Sequence, residues 1–273
     1  MMIRTCALLR NSLGILCLLA IPAATLLAAD PPAQPKKKAK VKKEAPLTPG
    51  GKWRAHDLSR PQPVVVTPQA AGQPPSDALV LFDGTDFARW RLASSKNNPS
   101  PTSEAPKWKI EKGYMKIGPQ SGAIITTNKF ADCQIHIEWA APAEVKGDSQ
   151  GRGNSGFFIV GHPEIQVLDS YNNPTYADGS AAGIYGVYPP LVNASRKPGE
   201  WQSYDIIYIA PKLANGQVIK SALYTIFHNG VLVHHAVEVP GDAVECPIYL
   251  QDHKNPVRYR NIWVRRLKGY DEQ

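Results

Sequence analysis

Apolar and polar residues alternate along residues 133–140. Cys133, Ile135, Ile137 and Trp139 fall on one parity, Gln134, His136 and Glu138 on the other. A period of two puts the first set on one face of an extended chain, the signature of a half-buried strand. Short strand-like segments recur at 123–126, 156–160, 164–169, 204–210, 222–227, 231–237, 248–250 and 257–264. Asn229-Gly230 separates two of them and signals a tight hairpin. No stretch sustains a 3.6-residue apolar period, and no internal repeat is visible. Many short strands set apart by Gly, Pro and Asn predict an all-β domain, a sandwich or jelly roll, over residues 77–268.

The pattern changes towards the N-terminus. Arg4 and Arg10 precede a nearly unbroken apolar run over 13–27, and Ala28 and Ala29 follow before Asp30. These are the three regions of a secretory signal peptide, so residues 1–29 are expected to direct export to the periplasm or beyond. The run is short of the ~20 residues of a spanning helix, and Pro22 interrupts it. Residues 30–76 read as a disordered linker, with ten of the 25 prolines and the lysines 36, 37, 38, 40, 42 and 43. Such a composition buries too little apolar surface to offset the entropy of ordering. The lysine run suits either a solvated spacer or contact with an anionic envelope surface.

Charge is informative once it is located. The formal net charge is +8. Residues 1–50 carry eight Lys/Arg against two Asp/Glu, whereas the remainder carries 23 against 21. The folded part is nearly neutral, which excludes a nucleic-acid partner. Cys133 and Cys246 are the only cysteines left after the signal, and both lie in strand-like segments. They are expected to form a disulfide or to be two buried thiols. No P-loop, dinucleotide fingerprint, nucleophile elbow or zinc-ligand spacing is present.

Polar residues interrupt apolar strands at a few places. Glu164, Gln166 and Leu168 share one face of an extended segment, Ile165, Val167 and Asp169 the other. A carboxylate and an amide on one strand face suit directional hydrogen bonds to sugar hydroxyls. Arg152 and Asn154 lie just upstream. Gln251-Asp252-His253 ends an apolar strand and offers an acid next to an imidazole. Tyr185, Asn193 and Trp201 stand in Gly/Pro-rich loops, where rings can stack on the apolar faces of sugars.

An ordered set of motifs resembles the 3-keto-disaccharide hydrolase domain family. Leu81-Phe82-Asp83-Gly84-Thr85-Asp86-Phe87 with Trp90 resembles its opening. Asn154-Ser155-Gly156, Glu164-Ile165-Gln166-Val167-Leu168-Asp169, Gly183-Ile184-Tyr185, Pro198-Gly199-Glu200-Trp201, Asn229-Gly230 and Leu250-Gln251-Asp252-His253 follow in order. The resemblance implies a concanavalin A-like β-sandwich, an exported protein and hydrolysis of oxidised disaccharides or glycosides. One departure is Ile248-Tyr249-Leu250 before Gln251, where a small residue is usual, so the rim of the site is expected to differ.

A ketone at C3 of a sugar acidifies the C2 proton. A base removes it, the C1 substituent leaves by elimination, and water adds back. Glu164 or His253 is expected to be the base, with Asp252 beside it. Arg152 is expected to stabilise the enolate, and Asn154, Gln166, Asp169, Tyr185, Asn193, Trp201 and Gln251 to bind substrate. No cofactor is expected; a divalent cation such as calcium could take the enolate oxygen, but the ligand set is too loose to define a metal site. Two rivals remain. A retaining glucanase needs two carboxylates ~5–5.5 Å apart, which Asp169 could supply only through a bulge. A lectin-like domain needs no base at all.

Overall fold

The computed structural model describes residues 44–272. The proposed signal peptide and the lysine run fall outside the described residues. The chain divides into two compact units at Asp57. The described part of the first is a short loop, in which Leu47 pairs with Arg54 and the Arg54 guanidinium meets Glu44 at 2.7 Å.

The second unit is an antiparallel β-sandwich. Its strands are β1 (Leu79–Phe82), β2 (Trp90–Leu92), β3 (Lys109–Glu111), β4 (Tyr114–Lys116) and β5 (Ile124–Thr126). Then come β6 (Cys133–Ala140), β7 (Ser155–Ile159), β8 (Ile165–Val167), β9 (Gln202–Ile209) and β10 (Lys212–Ala214). The last are β11 (Gln217–Lys220), β12 (Ala222–His228), β13 (Val231–Val239), β14 (Ile248–Leu250) and β15 (Arg258–Arg266). One sheet runs β13-β12-β9-β6-β15-β4-β3, with β1 also paired to β15. A five-stranded sheet runs β2-β5-β14-β7-β8, and β10-β11 forms a separate ribbon. Trp90, Trp139, Phe157, Tyr204 and Tyr259 fill the space between the two large sheets without solvent exposure. The expected hairpin closes at Asn229 and Gly230, both with positive φ (53° and 79°), as a tight turn of this hand requires.

Two expectations are sharpened here. Cys133 and Cys246 are free and buried, so of the two alternatives the buried thiols hold. Strand β6 is not half-buried: His136, on its polar parity, is only 2% exposed. The cover comes from a segment assigned above to the linker. The Gly72 carbonyl accepts hydrogen bonds from Asn261 Nδ2 (2.6 Å) and Trp263 Nε1 (3.1 Å), and Gly72 lies against the His136 ring. The linker reading is corrected for these last residues: a short polar-flanked stretch can dock when the sheet face offers it donors.

Candidate active site

Strand β7 turns Ser155, Phe157 and Ile159 into the core and therefore Gly156 and Phe158 outward. Phe157 pairs with Leu250 on one side and Ile165 on the other. This register sets Tyr249 beside Phe158, and Gln166 beside Gly156, on the outer face of the five-stranded sheet. Glu164, one residue before β8, shares that face with Gln166. Residues 183–185 run alongside: Gln166 N donates to the Gly183 carbonyl and Tyr185 N to the Glu164 carbonyl, both at 2.9 Å. Tyr185 is thus the immediate neighbour of Glu164.

The Glu164 carboxylate rests on the Cα of Gly156, with Oε1 in the space a β-carbon would need. Among the described residues no hydrogen bond or ion pair reaches it. Burial pushes the Glu164 carboxyl up to about 7, against the opposing charge of Lys96. A cavity of about 820 Å³ is lined by Lys96, Gly122, Tyr249, Gln251, Asp252 and His253 among others; Glu164 is not on its wall, but it interacts electrostatically with two residues that are, Lys96 and Tyr249. Gln251 N donates to the Gly156 carbonyl (2.9 Å), which joins the cavity wall to the glycine under Glu164. The Gln251 side-chain amide lines the cavity with no hydrogen-bond partner among the described residues, although the residue is only 5% exposed. Phe158 and Tyr249 pack edge to face at 5.2 Å and give the site an aromatic wall.

A second layer holds this face in place. Gln150 Oε1 accepts from Gln166 Nε2 (2.8 Å), and its Nε2 donates to Thr175 Oγ1 (2.9 Å) and the Gly179 carbonyl (2.8 Å). Asn154 Nδ2 donates to the Gln150 carbonyl at 2.7 Å. Gln166 Oε1 takes the Val167 N–H. Asn154 and Gln166 are therefore tied into the protein; they position the face instead of presenting free amides to a sugar.

The remaining expected site residues divide clearly. Glu164, Gln166, Tyr185 and Gln251 come together on one face, and His253 lines the adjoining cavity. Asp252 also lines it, but Oδ2 accepts from Gly122 N (2.9 Å) and Ser121 Oγ (3.3 Å), and Oδ1 from Lys254 N (2.8 Å). It ties two loops, and its oxygens are committed. Arg152 is held by Asp169 (2.6 Å) and by the Tyr171 carbonyl (3.0 Å), so neither is available as enolate donor or second carboxylate. Asn193 bridges loop backbone at Ser170 and Ser195. Trp201 lies on the outside of the other sheet, with the Arg260 guanidinium 4.1 Å from its ring centre and Tyr114 alongside. The core separates it from Glu164, because Gln202, its neighbour in β9, is the residue whose side chain turns inward.

Three contributors were missed from sequence. Lys96 sits in a Ser/Asn/Pro loop with no pattern to single it out. Gln150 stands two residues before the Arg152-Gly153-Asn154 segment, and extending that motif would have included it. Tyr249 was noted as a departure at the rim, and it is a wall of the cavity. Among the described residues no group of three or more His, Cys, Asp or Glu side chains is placed to hold a metal ion.

Fold and site together define an all-β sandwich of the glycosyl hydrolase kind. The chain belongs to the 3-keto-alpha-glucoside-1,2-lyase-like domain family, whose model matches residues 77–265. It is similar to a candidate glycosyl hydrolase of Parabacteroides distasonis known from a crystal structure, with 39% identity over 81% of this chain and 100% of the other, at a TM-score of 0.70. A second candidate glycosyl hydrolase from the same organism is 21% identical, covers 70% of this chain and 94% of its own, and has a TM-score of 0.52. That second likeness bears on the fold alone. No curated protein matches the chain. The family expected from the ordered motifs is the family found, and with it a glycoside hydrolase-like role.

Proposed function

We propose that this protein cleaves 3-keto-disaccharides or other 3-keto-glycosides by elimination and hydration, with Glu164 as the base at C2. The observation that carries this reading is the Glu164 carboxyl itself, half-buried, unpartnered and raised to about 7 near a cavity large enough for a sugar. A desolvated carboxylate without a counter-ion is costly for stability and well matched to proton abstraction near neutral pH. Leaving Glu164 without a second free carboxylate also suits elimination better than the retaining glucanase mechanism, since Asp169 and Asp252 are both engaged elsewhere.

In this mechanism the C2 proton passes to Glu164 and the electron pair moves towards the C3 oxygen. The Lys96 ammonium and the unpartnered Gln251 amide are the donors available to that oxygen. Phe158 and Tyr249 offer an apolar wall for the ring. The signal-peptide pattern supports export, and the lysine run supports contact of the N-terminal segment with an anionic envelope surface. The test is release of free sugar from a 3-keto-glucoside and from the plain glucoside. Wild-type protein should act only on the former, and Glu164→Gln should lower the rate ~10²–10⁴-fold. Cleavage of the plain glucoside would favour the glucanase reading. Binding without cleavage of either sugar would favour a lectin-like domain.

A further inference from the structure

Two phenols stand over the proposed base. Tyr185 is the backbone neighbour of Glu164, and its hydroxyl is hydrogen-bonded to that of Tyr176. The rings meet edge to face at 5.9 Å, and both side chains are open to solvent, at 40% and 46% exposure. The loop carrying Tyr176 is fastened to the catalytic face. Gln150 reaches Thr175 and Gly179 on that loop with one amide end and Gln166 with the other. Gly179 lies under the Tyr176 ring, where a β-carbon would collide with it. A pair of exposed tyrosines held this way has no packing role that needs two hydroxyls.

Two hydroxyls in one hydrogen bond carry two protons. One lies between the oxygens, and the other points away and can be donated to a ligand. We propose that the Tyr176–Tyr185 pair is the proton donor to the departing glycosidic oxygen. The assignment rests on the function proposed above. In elimination Glu164 takes the C2 proton and the C3 ketone becomes an enolate. The enolate pair then forms the C1–C2 double bond, the C1–O bond breaks, and the leaving oxygen takes the outward proton of the pair. In hydration the resulting phenolate takes a proton from water, hydroxide adds to C1, and Glu164 returns its proton to C2. Atoms and charges balance, and both groups are regenerated. Burial, the hydrogen bond and the nearby charges of Tyr185, Asp178 and Glu164 hold Tyr176 up to about 12. The phenol therefore enters the cycle with its proton in place.

A leaving-group series tests the assignment. In Tyr176→Phe and Tyr185→Phe, cleavage of methyl 3-keto-glucoside should fall ~10²–10⁴-fold for at least one variant. Cleavage of the 4-nitrophenyl analogue, whose leaving group needs no proton, should stay within a few-fold of wild type. Exchange of the C2 proton in deuterated buffer, which reports Glu164 alone, should persist in both variants. Equal losses on the two substrates, or loss of the exchange, would show that the phenols only support the face and would overturn the assignment. Unchanged cleavage of the methyl glycoside by both variants would do the same. Wild-type protein inert towards both keto substrates and silent in exchange would overturn the function itself, a result distinct from the others.

Discussion

The Glu164 carboxylate occupies the place that a β-carbon of Gly156 would take. Gly156 is not in the left-handed region, so its glycine is required by this close approach and not by backbone conformation. Gly156→Ala should leave the backbone geometry intact yet push Glu164 off its seat. Overpacking of this kind costs ~1–3 kcal/mol, and displacement of a base by about 1 Å costs ~10²-fold in rate. The expected outcome is a folded protein with kcat reduced on that order on a 3-keto-glucoside. Wild-type kcat in a folded Gly156→Ala variant would show that the position of Glu164 is not critical.

The raised Glu164 carboxyl has two pH consequences. As base it must be ionised, so kcat/KM should rise with pH through about 7 and then level. For stability the sign is the reverse. Between the unfolded value of 4.5 and the folded value of about 7 the folded chain holds more protons than the unfolded one, so this group's contribution falls as pH rises through that window. At ~1.4 kcal/mol per unit the total is on the order of 3 kcal/mol. Glu164→Gln should therefore be more stable than wild type above pH 7 and similar to it below pH 4.5, read from denaturant unfolding at both. A Glu164→Gln advantage that is the same at both pH values would mean the carboxyl is not raised.

The thiols should be inert. Burial is the leading cause that pushes Cys133 up to about 12 and Cys246 up to about 11, and the reactive form is the thiolate. Native protein should resist thiol reagents for hours, and unfolding without reductant should release both residues for labelling. Rapid labelling of either cysteine in the native state would contradict the burial.

Much of the fold was legible because the core strands carry their own signal. Strands β6, β9 and β12 alternate cleanly, with Ile135, Ile206 and Ile226 turned into the core, and Asn229-Gly230 marked the hairpin. The short strands β1 to β4 were not legible, since three or four residues fix no period and their place comes from pairing, β1 and β4 with β15, β2 with β5 and β3 with β4. The ribbon β10–β11 is exposed throughout and leaves no apolar pattern. In the site, Glu164, Gln166 and Gln251 could be read because they interrupt apolar strands. Arg152 and Asp169 could be named but not paired, since only the fold shows that each satisfies the other. Trp201 was misplaced because a loop aromatic next to a strand carries no sign of which sheet face it takes.

The outer face of the large sheet yields the last prediction. His136 Nδ1 stands 2.6 Å from Asp205, its Nε2 lies 3.6 Å from Glu138, and its ring stacks on Trp263 at 5.3 Å. Burial alone would lower this imidazole, but the hydrogen bonds and charges of Asp205 and Glu138 outweigh it and hold His136 up at about 9. Burial would raise Glu138, but His136, Asn261 and Arg260 bring it down to about 2. The signs follow. The His136 contribution is complete below its unfolded value of ~6.5 and is lost as pH rises through about 9. The Glu138 contribution is complete above 4.5 and is lost as pH falls through about 2. Both act together between about 4.5 and 6.5. Gly72 closes this cluster from above, and its carbonyl takes two hydrogen bonds worth ~0.5–1.5 kcal/mol each. A chain beginning at Asp77 should therefore be ~1–3 kcal/mol less stable at pH 6 than one beginning at Leu58. The half-exposed Arg60–Asp271 pair, lost in the chain that begins at Asp77, should add up to about 1 kcal/mol. With Asp205 and Glu138 still in place, loss of the cover relieves the burial that lowers this imidazole, so the His136 titration followed by NMR should move up in the shorter chain. Equal stability of the two chains at pH 6, with an unchanged His136 titration, would mean that residues 58–76 only lie on the sheet without fastening it.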